Sequence, residues 1–408
     1  MQPATEYCFC TYFDRNYLTR GLTLYHSLVR HCQKSFILWV LCFDDETYDI
    51  LTHLNLSGIR LISRQKFEAN DKDLVKAKAG RSQVEYYWTC TPSLPLYVLR
   101  TNSEVEVITY LDADLCFYDD PKPIYDELGN SSILIIEHRY APEYTHLATT
   151  AGIYNVGIMA FRRDEHGLEC LHWWRERCLE WCYRRSEDSK FGDQKYLDDW
   201  PERFQGVVVL QHKGVGLAPW NLSRYQIKHN SHGINVDGQP LIFYHFHGYK
   251  IISRNVIIPT HSVYRISVEQ LFSIYFPYIS ALQKAESQVA SLLSTTGVPI
   301  IAKSTPKIKL EFLEQRSLLI SPRLVSIILW FIGSLLSSGK IKAKAAFRSY
   351  VLGDLPTCRQ YLLSALCRNP LLLRHRRVIS IFLETLVGST RMNRYRHLGK
   401  IILARVQR

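Results

Sequence analysis

Two textures of apolar and polar positions alternate along the first third of the chain. Residues 7–12 read as a strand, and 18–31 follow with Leu22, Tyr25, Leu28 and Val29 at helical spacing. Residues 35–43 form a continuous apolar run, as expected of a strand buried on both faces. Asp44 and Asp45 then precede a helix carrying Tyr48, Leu51 and Leu54, and 58–62 returns to strand. A further helix is expected over about 93–100, and residues 105–111 are again an apolar strand. This alternation predicts an α/β fold, a mostly parallel sheet with helices on both faces. Ligands of such sheets sit beyond the carboxyl ends of the strands, so chemistry is expected in the residues just after them.

From about 263 the spacing becomes helical, through Val268, Leu271, Tyr275, Tyr278 and Leu282. A stretch rich in Ser, Thr, Gly and Pro at 294–306 reads as a linker. Three regions are expected: an α/β domain over 1–262, a helical extension and linker over 263–300, and a basic, mostly helical region over 301–408. Within the last, 340–386 has the rhythm of one tetratricopeptide-like helix pair.

Charge sharpens this division. The net charge of +12 is unevenly spread: residues 301–408 carry 20 Lys and Arg against 4 Asp and Glu, and residues 1–300 carry 30 against 34. The excess therefore belongs to the C-terminal region, and the front of the chain has no nucleic-acid-binding balance. Eleven cysteines without a C-x-x-C spacing read as buried thiols of a reducing compartment. The N-terminus has no basic and apolar leader. The apolar run 324–336, with Trp330 inside and basic residues on both sides, is too short to span a membrane but suits a lipid interface. The expectation is a cytoplasmic protein whose basic region can meet an anionic membrane surface. A solvated basic helical face is the plainer reading of the same charges.

The strongest chemical signal lies at 107–121, where an apolar strand runs into Asp112-Ala113-Asp114. In an extended chain residues two apart point to one side, so both carboxylates can converge on one cation. Paired hard oxygens suit Mg²⁺ or Mn²⁺, which bridge nucleotide phosphates. Three other segments follow or form strands. Asp14, Asn16 and Tyr17, with Thr11 close by, stand after the first strand; Asp14 or Asn16 would serve equally as a helix cap. Asn155 and Gly157 lie in an apolar strand, where glycine allows close backbone approach. Asp193 and Gln194 open a short helical stretch, where Asp193 also suits a cap. Late in the domain, His245 and His247 share one strand face.

These segments together resemble the GT-A-fold glycosyltransferases, and family 8 (the glycogenin and galactosyltransferase group) in particular, over about residues 1–260. The resemblance implies a GT-A fold and a metal-dependent transferase moving a sugar from a nucleotide diphosphate donor, with UDP-sugars foremost, to a glycan or lipid-linked acceptor. It implies Asp112, Asp114 and His245 as metal ligands, with His247 competing, and an imidazole ligand favours Mn²⁺ over Mg²⁺. Asp14, Asn16 and Tyr17 would contact base and ribose. Asn155 would orient hydroxyls, Asp193 would bind the sugar, and Gln194 would line the sugar face opposite the leaving group, with retention of configuration. Asp112 would also meet the donor through the ion. The family's H-x-x-G-x-x-K segment matches His245 and Gly248, and Lys250 comes one residue early for the phosphate contact. Where relatives carry a Tyr-Arg helix over the donor, Lys78, Arg81 and Glu85 are the replacements on offer.

Two other classes compete. Nucleotidyl transfer would want a glycine-rich loop after the first strand, and residues 11–20 contain no glycine. A non-catalytic membrane- or nucleic-acid-binding protein would rest on Lys340, Lys342, Lys344, Arg348 and the cluster Arg374, Arg376 and Arg377; the apolar run favours lipid over nucleic acid.

Overall fold

The computed structural model describes residues 6–296 apart from 70, 231–232 and 254–255. The expectations for 301–408, its helix pair and its lipid-facing run lie outside the described residues. The chain divides into two compact units. Among described residues the first holds 6–249, 259–266 and 270–296, and the second 250–258 and 267–269.

The first unit opens with β1 (Tyr7–Phe13), α1 (Leu18–His31), β2 (Phe36–Cys42), α2 (Asp45–Leu54) and β3 (Ile59–Ser63), close to the predicted order. The Asp44 carboxylate accepts from the Thr47 amide at 2.7 Å and so caps α2, as its position before the apolar spacing suggested. Short helices α3 (Arg64–Glu68) and α4 (Lys72–Lys78) lead to α5 (Gln83–Thr101), then β4 (Val107–Leu111), β5 (Leu115–Phe117), α6 (Lys122–Leu128) and β6 (Ile133–Glu137). Next come α7 (Ala148–Ala151), β7 (Tyr154–Arg162), α8 (Glu165–Glu180), α9 (Trp200–Arg203) and β8 (Val207–Val209). A small antiparallel sheet follows, of β9 (Ile227–Asn230), β10 (Gly233–Val236) and β11 (Gln239–Pro240), and then β12 (Phe243–His245). The described chain ends in α10 (Val268–Gln270), a π-helical turn at Leu271–Tyr275 and α11 (Phe276–Thr296). In the second unit β13 (Lys250–Ser253) pairs antiparallel with β14 (Val256–Ile258).

Seven strands form the main sheet in the order β3-β2-β1-β4-β7-β6-β8, and β7 alone runs against the rest. The expected mostly parallel, doubly covered sheet is therefore present. Side chains alternate between its faces. Phe9, Phe13, Leu38, Val40, Leu111 and Ile158 pack with α1, α2 and α11 on one side, and Cys10, Leu41, Ile108, Tyr110 and Phe161 pack with α5 and α8 on the other. Both layers exclude water, which is why the strands read as unbroken apolar runs.

Two expectations need correction. Val29 is 54% exposed and takes no part in the buried stripe of α1, which uses Leu18, Leu22, Tyr25 and Leu28. The helix expected from about 93 begins ten residues earlier, at Gln83. Its start is fixed by a capping box: Glu85 accepts from the Ser82 amide at 2.9 Å, and the Ser82 hydroxyl faces the Glu85 amide. Pro92 and Pro95 lie inside it. Each removes a backbone donor, at a cost of about 3 kcal/mol in an isolated helix. Here both prolines are buried with Leu94, Leu96 and Leu99, and that burial offsets the loss.

Candidate metal and nucleotide site

The carboxyl ends of β1 and β4, the paired strands at the middle of the sheet, carry the acidic residues singled out above. After Leu111 the chain leaves the strand and turns. The Asp112 amide bonds the Gly157 carbonyl at 2.9 Å, and the Leu115 amide bonds the Asp112 carbonyl at 3.2 Å. The two carboxylates thus converge across a tight turn, and not along an extended strand as the two-residue spacing implied. Immediately downstream, β5 pairs antiparallel with β12, and Leu115 stands opposite His245. A second backbone bond, Phe246 amide to Asp114 carbonyl at 3.0 Å, locks the pairing. This short ladder joins an imidazole to a carboxylate 131 positions earlier in the chain.

One ligand atom each from Asp112, Asp114 and His245 falls within 4.8 Å of the others. His245 Nε2 lies 3.6 Å from Asp112 Oδ2 and 3.2 Å from Asp114 Oδ1. The Asp112 side chain is 31% exposed, against 14% for Asp114 and 7% for His245, so the cluster opens on the Asp112 side. Burial and the Asp114 charge raise the Asp112 carboxyl, opposed by His245 and by the Tyr110 hydroxyl, which donates at 2.8 Å. Burial also acts to raise Asp114, but His245, His247 and Arg20 outweigh it and hold the group at about 2. His245 is raised in turn: its burial is overcome by Asp114 and Asp112. Two desolvated carboxylates facing one imidazole make a pocket that favours positive charge. Two oxygens and one nitrogen form a donor set that fits a divalent cation.

Gly157 makes this arrangement possible. β7 bulges opposite β6, with Leu134 paired to Ala160 but Ile136 paired to Asn155. The bulge brings the Gly157 backbone against His245, where a Cβ would stand 2.9 Å from His245 Nδ1 and 2.9 Å from Asn155 Oδ1. Asn155 Oδ1 accepts from the Gly157 amide at 2.9 Å, which fixes the buried amide beside the imidazole.

His247 does not reach the carboxylates as His245 does. Its ring is 5.7 Å from that of His245 and 5.1 Å from that of His261. Burial, then the charge on His245, pushes it down to about 3. Trp220 packs edge-on against both, at 5.3 Å from His245 and 5.4 Å from His247. The β5–β12 register sets the His245 ring, rather than that of His247, beside the carboxylates.

On β1's end, Asp14 Oδ1 accepts from the amides of Asn16 and Tyr17 at 2.9 and 3.3 Å. Its Oδ2 accepts from Asn16 Nδ2 at 3.0 Å, the Tyr87 hydroxyl at 3.3 Å and Gln83 Nε2 at 3.4 Å. Asp14 thus makes an Asx turn that leads into α1, whose cap position is Tyr17. Asn16 and Tyr17 remain at the surface, Tyr17 43% exposed. Thr11 is fully buried and its hydroxyl has no partner; alternation places it on the face of Phe9 and Phe13, opposite Tyr12.

Asp193 is 7% exposed, and its carbonyl accepts from Trp174 Nε1 at 2.8 Å. Burial, against the Thr91 hydroxyl and with the Asp112 charge, raises its carboxyl to about 7. Tyr12, on β1, bonds Thr91 at 3.0 Å. Gln194 Nε2 donates to the Ala151 carbonyl at 2.7 Å.

The cations considered for the donor helix are committed elsewhere: Lys78 pairs with Glu68 at 2.7 Å, and Arg81 bonds Thr89 and the Leu179 carbonyl. Glu85 caps α5. Lys250 is exposed at the start of the β13–β14 hairpin, in the second unit. Residues that sequence reasoning missed are Tyr110, Gln83, Tyr87 and Arg20. A capping-box signal at Ser82 and Glu85 was available for the α5 pair.

Fold and site together define an α/β protein with a seven-stranded, mostly parallel sheet and a candidate divalent-cation centre at its strand ends. No family profile matches the chain. It is 36% identical over 281 residues to YfnF, an uncharacterized protein of Bacillus subtilis (strain 168), covering 66% of this chain and 92% of YfnF. It is 32% identical over 286 residues to YfnD of the same organism, covering 69% of this chain and 91% of YfnD. The chain belongs to the family of these two proteins. Among solved structures it is similar to the galactosyltransferase LgtC in complex with donor and acceptor sugar analogs. That match has 15% identity and a TM-score of 0.43, and covers 72% of this chain and 97% of LgtC.

Proposed function

We propose that this chain is a glycosyltransferase that moves a sugar from a nucleoside diphosphate to a glycan or lipid-linked saccharide, with retention of configuration. The carrying observation is the convergence of Asp112, Asp114 and His245 within 4.8 Å at the strand ends of the sheet. The motif resemblance at 11–28, 107–121, 153–163 and 191–201 points the same way. Asp112, Asp114 and His245 would hold Mn²⁺. Such an ion supplies Lewis-acid stabilisation of the negative charge on the leaving diphosphate.

The remaining residues bind and orient. Asn16 and Tyr17 stand exposed beside the fixed Asp14 carboxylate and receive base and ribose, with UDP-sugars the first donors to test. Asp193, near neutral pH both an acceptor and a carrier of a proton, holds donor hydroxyls. Gln194, whose amide nitrogen is tied to Ala151, offers its oxygen to the sugar face opposite the leaving group. Asn155 sets the backbone beneath them. Among described residues no helix is long and apolar enough to cross a membrane. The 20 basic residues of 301–408 would bring a cytoplasmic enzyme to an anionic membrane surface bearing the acceptor.

A thermal-shift series with UDP-, GDP-, ADP- and dTDP-sugars, with and without Mn²⁺, tests this reading. The expected result is a donor that raises the midpoint only with metal, and a loss of that rise in Asp114→Asn. A rise that survives chelation, or that Asp112→Asn and Asp114→Asn both preserve, refutes it.

A further inference from the structure

We propose that Arg20 supplies the protein's cationic contact to the donor diphosphate, the role that Lys250 misses by one residue. The inference rests on the nucleotide-binding reading above.

Arg20 is the third residue of α1, directly after the nucleoside strip. Its guanidinium lies over the Tyr17 ring at 4.3 Å. Nη1 bonds the Asn16 carbonyl at 3.3 Å, and Nη2 bonds the Tyr249 carbonyl at 3.0 Å. Tyr249 closes the turn that follows His245: its amide bonds the Phe246 carbonyl at 3.1 Å, and the Phe246 amide bonds the Asp114 carbonyl at 3.0 Å. Arg20 therefore joins the segment that would hold the nucleoside to the segment that carries the metal ligands. A diphosphate must cross that joint, because it connects the two.

The electrostatics agree. Among the described residues Arg20 forms no ion pair, whereas Arg15, Lys78 and Arg175 are paired with Glu46, Glu68 and Asp71 at 2.6–2.8 Å. A guanidinium has five N–H donors in a planar fork matched to phosphate oxygens. Two are used on carbonyls here, which orient the fork without neutralising it. The half-buried side chain keeps access to solvent. At the family's lysine position stands Ile251. Adjacent residues of a strand point to opposite faces, so Lys250 at the start of β13 does not present its ammonium as a residue at 251 would.

Isothermal titration of UDP, GDP, ADP and dTDP in Mn²⁺, with the matching nucleosides by displacement, tests the assignment on the full chain and on Arg20→Ala, Arg20→Lys and Lys250→Ala. The expected result is a 10- to 100-fold weaker diphosphate in Arg20→Ala, nucleoside affinity within about 2-fold of wild type, and partial recovery in Arg20→Lys. Melting curves confirm folding, and the lysine variant keeps the charge should the alanine variant unfold. Diphosphate binding at wild-type strength in Arg20→Ala overturns the assignment. So does an equal loss of nucleoside and diphosphate, which would mean that Arg20 only props Tyr17. So does a loss in Lys250→Ala alone. In these cases wild type still binds the diphosphate, so the nucleotide reading stands; if wild type binds none of the four, that reading falls and Arg20's role falls with it.

Discussion

Gly157→Ala isolates the close packing that seats His245. Gly157 has an ordinary strand conformation, so alanine carries no backbone penalty and the test is purely steric. The added methyl would lie 2.9 Å from His245 Nδ1, 3.1 Å from His245 Cε1 and 2.9 Å from Asn155 Oδ1. Ordinary contact begins at 3.4 Å, so the imidazole must yield by about half an ångström. It has little room: Trp220 packs against its ring, and the His245 amide is bonded to the Leu217 carbonyl at 2.9 Å. The ring must tilt, and Nε2 on its far side moves relative to Asp114 Oδ1, now 3.2 Å away. Overpacking of this size costs about 1–3 kcal/mol of stability. Disturbing a ligand's support lowers metal affinity by about 10- to 100-fold. Titration of Mn²⁺, followed by the paramagnetic resonance of the free ion, reads the affinity, and urea unfolding reads the stability. A folded Gly157→Ala protein that binds Mn²⁺ at wild-type strength would refute the claim that His245 is a ligand held in place by this contact.

Two further outcomes are expected. Asn221 is fully buried; its side chain accepts from the Ala218 amide at 2.9 Å and donates to the carbonyls of His138 and Gly216 at 2.9 and 3.0 Å. Asn221→Ala should cost about 2–4 kcal/mol in urea unfolding with an unchanged slope; a change under about 0.5 kcal/mol contradicts that role. Asp193, raised to about 7 chiefly by burial, binds a proton in the folded state that an ordinary aspartate, at about 3.9 in the unfolded chain, has lost. Stability therefore falls as pH rises from about 4 to 7, and Asp193→Asn escapes that fall. In EDTA the variant should melt above wild type at pH 8, by on the order of 1–3 kcal/mol, and the gap should close toward pH 4; a gap independent of pH contradicts it.

The sheet was legible because its strands are buried on both faces, leaving unbroken apolar runs such as 35–43. The acidic pair was legible because it directly follows one of them. What the sequence misplaced, it misplaced for local reasons. Pro92 argues against a helix by propensity, and the expected start at about 93 falls just after it, whereas α5 runs through both Pro92 and Pro95. Only burial between sheet and α8 makes the prolines tolerable, and burial is not a local property. The two-residue spacing of Asp112 and Asp114 suggested an extended chain, whereas the carboxylates meet through a turn held by Gly157, 45 positions away in sequence.

Two cases show where reading along the chain stops. His245 and His247 differ by two residues and share a face, so spacing could not separate them. The pairing of His245 with Leu115 does, because it sets one imidazole beside Asp114 and the other against His261. Arg20 gave no signal at all, since one more arginine in a helix is most often a solvated charge. Its position follows from a bond to a carbonyl 229 residues later, on the turn that follows His245. Lys250 stands one residue before the lysine position of the resembled motif, and one step along an extended chain reverses the direction of a side chain. A phosphate requires positive charge at a point in space, and a helix that begins just after β1 can deliver such a charge without leaving a trace in the spacing of the later motif.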